Sequence, residues 1–106
     1  MAEVKFTLQS ISDLEDIAGY ISKDSFFYAS MQVQKLFKRA ESLEKQPRRG
    51  RIVPELKIKS IRELIEGNYR IVYRIVNEKL IHILTFHHSK RKLRASRIKK
   101  IIKKNK

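Results

Sequence analysis

Tyr69-Arg70-Ile71-Val72-Tyr73-Arg74-Ile75-Val76, then Asn77-Glu78, then Lys79-Leu80-Ile81-His82-Ile83-Leu84-Thr85-Phe86-His87, is a run of β-branched and aromatic residues divided by two turn formers. Such residues suit a pleated, half-buried surface, and two of them between such runs make a hairpin loop. Pairing across Asn77-Glu78 sorts the side chains into two faces. One carries Tyr69, Ile71, Tyr73 and Ile75 opposite Phe86, Leu84, His82 and Leu80. The other carries Arg70, Val72, Arg74 and Val76 opposite Thr85, Ile83, Ile81 and Lys79, with His87 at its end. The first face reads as core. The second is apolar with a cationic fringe, and a contiguous apolar row needs cover, which points to a partner.

Working outward, Gly67-Asn68 turns the chain between this hairpin and a further strand over Ile58 to Ile65. Pro47-Arg48-Arg49-Gly50-Arg51 is a turn in which Gly50 takes a conformation other residues resist. Before it, Ala29, Val33, Leu36, Phe37, Ala40 and Leu43 fall on one face of a long helix that ends ahead of Pro47. Asp24 and Ser25 separate it from a first helix striped with Ile11, Leu14, Ile17, Ala18 and Ile21, with Ser10 or Ser12 as N-cap and Ser12/Glu15 at capping-box spacing. Val4, Phe6 and Leu8 alternate with Lys5 and Thr7, a strand pattern. The order defines an α+β class: two N-terminal helices on one face of a small twisted, mostly antiparallel sheet. Downstream, Ile98, Ile101 and Ile102 have helical spacing among basic residues, so Leu93 to Ile102 is a helix that docks on the core, on a partner, or forms only when bound. One domain over residues 1–106 is expected, with 87–106 as a basic C-terminal segment.

Charge is the strongest compositional feature. Twenty-five Lys and Arg against eleven Asp and Glu give +14. Residues 87–106 hold ten of the cations and none of the acids. A block of this kind attracts polyanions through counterion release, or an acidic protein partner. The chain has no Cys, which excludes disulfides and thiolate metal sites and fits a reducing cytoplasm. Neither a signal-peptide pattern nor an apolar run of about 20 residues occurs, so no membrane partner is expected.

Chemistry is sparsely supplied. Three scattered glycines make no phosphate loop, and His82, His87 and His88 make no metal site because neighbouring strand residues point to opposite faces. No cofactor and no metal are expected. One cluster stands out where the last strand ends: His88, Ser89, Lys90 and Arg91, with Arg62 and Arg70 one or two strands away. An imidazole exchanges protons near neutral pH, and Lys and Arg stabilise charge on a phosphate. The same residues also serve as surface cations that hold phosphates or acidic side chains without chemistry. Strict alternation places His88 on the core face and His87 on the other.

The order of landmarks resembles the RelE/ParE superfamily of bacterial toxins, over nearly the whole chain up to residue 94. The matching pieces are Asp13-Leu14-Glu15-Asp16-Ile17 through Tyr20-Ile21, Leu43 to Pro47, Gly50-Arg51-Ile52-Val53-Pro54-Glu55, Ile61-Arg62-Glu63-Leu64, Asn68 through Arg74, and His88-Ser89-Lys90-Arg91-Lys92-Leu93. The resemblance implies the RelE/ParE-like fold and a growth-arresting toxin of a type II toxin–antitoxin system, as in plasmid stabilization. It also implies a cognate antitoxin encoded beside it, a mobile segment of which wraps the toxin. Operator DNA would be contacted only through that antitoxin.

Mechanism divides the superfamily. ParE-like members poison DNA gyrase without chemistry. RelE-like members enter the ribosome and cut mRNA as endoribonucleases, with an aromatic residue near the C-terminus stacking on a base. The Gly50-Arg51 to Pro54-Glu55 stretch and the His88-to-Arg91 spacing look more like ParE, and no aromatic residue follows Phe86. Lys92 departs from the ParE pattern, where an acid is frequent. In a nuclease, His88 would be general base or acid, and Lys90, Arg91, Arg62 and Arg70 would stabilise the phosphate. In a gyrase poison the same five are contact residues. A third reading is a basic nucleic-acid-binding module without toxicity.

Overall fold

A computed structural model of the protein describes residues 1–105. Its elements run β1 (Glu3–Phe6), α1 (Leu8–Ser22), α2 (Phe26–Glu41), β2 (Arg51–Ile52), β3 (Ile61–Glu66), β4 (Tyr69–Asn77), β5 (Leu80–His88) and α3 (Ala95–Lys104), with a single 3-10 turn, Ser42–Glu44, after α2. The five strands form one sheet in the order β1-β5-β4-β3-β2. Only β1 against β5 is parallel; the other pairs are antiparallel. This is the expected α+β architecture, with the helical hairpin on one face.

The first helix starts earlier than its serines suggest. Thr7 is extended and its hydroxyl accepts from the Ser10 N–H, capping α1, while donating to the Ile83 carbonyl at 2.8 Å. One side chain thus caps the helix and ties it to β5. Leu8 therefore leaves the strand alternation, opens α1, and is 84% exposed. At α2 the expected break holds: Ser25 accepts from the Tyr28 N–H as N-cap. Ile17, Leu36, Ala40 and Leu43 from the helical layer bury against Leu64, Ile71, Tyr73, Ile81, Ile83 and Phe86.

The hairpin departs from the simple pairing in three places: at the loop, at Val76, which is skipped between the Ile75–Ile81 and Asn77–Leu80 pairs, and at Leu84. Asn77 pairs with Leu80, so the loop is Glu78-Lys79, where the Lys79 N–H donates to the Asn77 side chain at 2.8 Å. Further along, Val72 faces Thr85 but Tyr73 faces Ile83, which leaves Leu84 as an extra residue in β5. An extra residue in a strand exchanges the faces of everything beyond it. Ile81 and Ile83, expected on the second face, therefore turn toward the helices. Leu84 and His82, expected in the core, turn the other way, with His82 opposite Arg74. Burial, and then the nearby Arg74 and Lys5 charges, hold the His82 imidazole below its usual pKa.

The second apolar face is also corrected. It is covered by the chain itself: Val53, Ile61, Val72 and Leu84 lie under Leu93 of the connecting segment and Ile98 and Ile101 of α3. Of the three ways the C-terminal segment could behave, it docks on its own core. Ile98 is fully buried and Ile101 is 5% exposed, and each such isoleucine contributes roughly 1.5–3 kcal/mol of burial.

Where β1 ends, the edge of β5 is left to α1. The Asp13 carboxylate accepts from the Phe86 N–H at 3.2 Å and from the Thr85 hydroxyl, while its other oxygen takes the Gln9 amide at 2.9 Å. A buried acid here replaces the missing strand partner.

Candidate functional site

The cationic residues singled out by the sequence are held by different parts of the sheet. Arg70 and His88 are on β4 and β5, but opposite partners share a face, and the register pairs Arg70 with His87 and Tyr69 with His88. Arg70 is thus on the α3 side and His88 on the helical-hairpin side. Arg62 pairs with Tyr73, midway along the sheet, so it shares the helical-hairpin face with His88 but stands on β3, several residues from the end of β5. Its Nη1 donates to the Gly50 carbonyl at 3.0 Å and its Nε to the Lys59 carbonyl at 3.2 Å. These bonds tie it to the segments before β2 and β3, of which Arg48, Arg49 and Lys59 line a neighbouring cleft of about 880 Å³. The structure brings together His88, Lys90 and Arg91. It does not bring Arg62 and Arg70 to them as one patch.

Arg70 is 7% exposed and fully engaged. Its Nε reaches Glu63 at 2.6 Å, and its two terminal nitrogens hold both oxygens of Glu55 at 2.7 Å each. Glu63 is buried, and its second oxygen takes Arg51 at 2.6 Å. Two arginines and two carboxylates therefore close on one another. The hydrogen bonds from Arg70 drop the Glu55 carboxyl from 4.5 to about 2, against the opposing effect of burial. The guanidinium is in turn pushed above its usual value by Glu55 and Glu63. A carboxylate this weakly basic is a poor proton acceptor near neutral pH. Sequence patterning misses Glu55 and Glu63. The available signal is Arg70 itself, an arginine alternating with buried residues, since a buried cation requires carboxylate partners.

His88 closes β5, its ring edge-on to Tyr69 with centroids 5.5 Å apart. The following turn is tightly bonded: Ser89 N–H to Asn68 at 2.7 Å, Arg91 N–H to the His88 carbonyl at 3.0 Å, and the His87 ring Nε2 to the Arg91 carbonyl at 2.9 Å. His88 Nδ1 accepts from the Lys90 N–H at 3.2 Å. A neutral ring with Nδ1 accepting carries its proton on Nε2, so its free nitrogen is a donor. Lys90 and Arg91 are exposed on this rigid turn. The arrangement presents cations and a hydrogen-bond donor; no carboxylate orients the imidazole for proton abstraction among the described residues.

The helical hairpin over a five-stranded, mostly antiparallel sheet is the fold of a toxin–antitoxin protein already solved. The chain matches the solved structure of a chromosomal ParDE toxin–antitoxin system from P. aeruginosa with a TM-score of 0.70, at 24% identity, over 85% of this chain and 98% of that one. The profile of the ParE toxin family of type II toxin–antitoxin systems matches residues 4–93, and the chain belongs to that family. It is also 32% identical to Toxin RelE2 of Caulobacter vibrioides over 91 residues, which are 86% of this chain and 99% of that protein. The protein is thus a toxin of a type II system, and this membership implies a cognate antitoxin. No helix among the described residues is long and apolar enough to cross a membrane.

Proposed function

We propose that this toxin acts in the cytoplasm as a ParE-like poison of DNA gyrase, by contact and without chemistry of its own. The observation that carries this reading is the engagement of Arg70. With its guanidinium closed onto Glu55 and Glu63, Arg70 is withheld from His88, which is left beside Lys90 and Arg91 with no second proton-transferring group among the described contacts. The match to the ParE family profile supports the same reading. Lys90 and Arg91 are the target contacts, set on a turn that costs little further ordering on binding. His88 supports them, donating from Nε2.

A second reading is kept by one observation, the likeness to a relative named Toxin RelE2. In it the toxin is a ribosome-dependent endoribonuclease, with His88 exchanging the proton and Lys90 and Arg91 stabilising the phosphate. Purified toxin incubated with gyrase and supercoiled DNA separates the two. Trapped gyrase–DNA cleavage complexes are expected. Cuts in translated mRNA with gyrase untouched would overturn the contact reading.

A further inference from the structure

Between the first turns of α1 and the outward side of α3 runs a groove of about 430 Å³, lined by Leu8, Gln9, Ser12, Arg97, Lys100, Ile101, Lys104 and Asn105. Its chemistry is two-sided. Ile101 forms part of its floor, and Leu8 stands at its side, 84% exposed, so the two give the groove an apolar half. Arg97, Lys100 and Lys104, at spacings of three and four, line one wall as a row on a single helical face. None of the lining residues is acidic. The nearest carboxylate with an assigned partner here, Asp13, is 8% exposed and turned inward to Thr85, Phe86 and Gln9, with Arg97 only at 3.8 Å.

The wall that carries these cations lies beyond the residues matched by the family profile. The family profile ends at residue 93, and α3 begins at Ala95. The cationic wall therefore lies outside the part of the chain that defines the family.

We propose that this groove seats an acidic amphipathic segment of the cognate antitoxin, with an apolar side chain against Leu8 and Ile101 and carboxylates on Arg97, Lys100 and Lys104. The inference rests on the assignment of the chain to a toxin–antitoxin pair, and adds to it the place and chemistry of recognition. A helix or strand of alternating acidic and apolar residues meets both halves of the groove at once. A nucleic acid meets only one. Its phosphates would use the lysines, but an exposed aliphatic gives it nothing, and no aromatic side chain lines the groove for a base to stack on. Because α3 lies beyond the family match, the groove also gives this toxin a means of choosing its own antitoxin over those of related pairs.

Full-length toxin and the purified antitoxin encoded beside it are titrated calorimetrically at several salt concentrations, with the variants Leu8→Asp and Lys100→Glu/Lys104→Glu. Both alter exposed side chains, and circular dichroism of each free variant confirms its fold. Each is expected to bind about thirtyfold more weakly at low salt, and the loss in the lysine variant should shrink as salt rises. Antitoxin affinity within twofold of the parent for both variants overturns the proposal while leaving the toxin assignment standing. So does a lysine variant that loses affinity for a single-stranded oligonucleotide but keeps it for the antitoxin. If the unaltered chain neither binds that antitoxin nor arrests growth when expressed alone, the toxin–antitoxin assignment fails, and the groove's role with it.

Discussion

If Arg70 belongs to the core and not to the target surface, Arg70→Met will damage stability before it damages recognition. Removing the guanidinium leaves Glu63, buried under the sheet, with Arg51 as its remaining cation, and frees Glu55 to solvent. Breaking one side of a buried ion pair costs about 3–5 kcal/mol, and in a domain of this length that lowers the melting temperature by roughly 12–20 °C. Glu55→Gln tests the outer half of the network. The shift of its carboxyl from 4.5 to about 2 sets a linkage ceiling of about 3 kcal/mol, and its partial exposure to solvent reduces this to on the order of 1–2 kcal/mol. The sign follows from which state takes up the proton first. As pH falls below about 4.5 the unfolded chain protonates Glu55 while the folded one does not, so the contribution is complete above that value and is lost on the way down to about 2. Thermal unfolding of the parent, both single variants and the double variant across that window gives the test. An Arg70→Met protein that melts within about 1 kcal/mol of the parent yet has lost toxicity would refute the structural role and return this arginine to the target surface.

A Cβ at Gly50 would lie 2.6 Å from the Glu63 carbonyl oxygen and 2.7 Å from the Tyr73 hydroxyl, so Gly50→Ala should lower stability by about 2 kcal/mol or more in urea unfolding. Tyr73→Phe removes the hydroxyl that accepts from the Gly50 N–H and donates to the Pro47 carbonyl, for an expected loss of about 1–3 kcal/mol by the same assay. Ile98→Ala should cost about 2–5 kcal/mol, since its side chain is fully buried against the sheet; an unchanged urea midpoint would mean that α3 is not packed in solution. On the proposed gyrase reading, Lys90→Glu/Arg91→Glu should leave the melting temperature within a few degrees while abolishing trapped cleavage complexes.

Much of the architecture is legible from residue periodicity, because it depends on side-chain repeats that the chain displays openly. The stripes of α1 and α2, the turn at Gly67-Asn68 and the hairpin itself follow from spacing alone. What periodicity cannot carry is an inserted residue, and the hairpin has one on each strand, Val76 and Leu84. Leu84 is as apolar as its neighbours, so nothing in the pattern marks it as the bulge, yet it exchanges the faces of Ile81, His82 and Ile83. The N-cap is misplaced for a related reason: Thr7 is one of several hydroxyl residues near the helix start, and its advantage is a bond to Ile83, 76 residues away. The candidate site is legible in part. His88, Lys90 and Arg91 are adjacent in sequence and remain so in space. Arg62 and Arg70 share their composition but not their surroundings, and charge alone does not tell a buried, carboxylate-bound guanidinium from a free one.

The parallel pairing of β1 with β5 has a consequence for how the molecule comes into being. β1 is among the first segments synthesised, but its only strand neighbour is β5, and Asp13 of α1 likewise waits for Thr85 and Phe86. Contacts of such long sequence separation form late. A nascent chain on the ribosome therefore has an unfinished sheet until translation has passed β5, and the cationic turn that follows that strand is the last part of the β scaffold to emerge. A cell making this protein meets it as a harmful object only when its synthesis is nearly over.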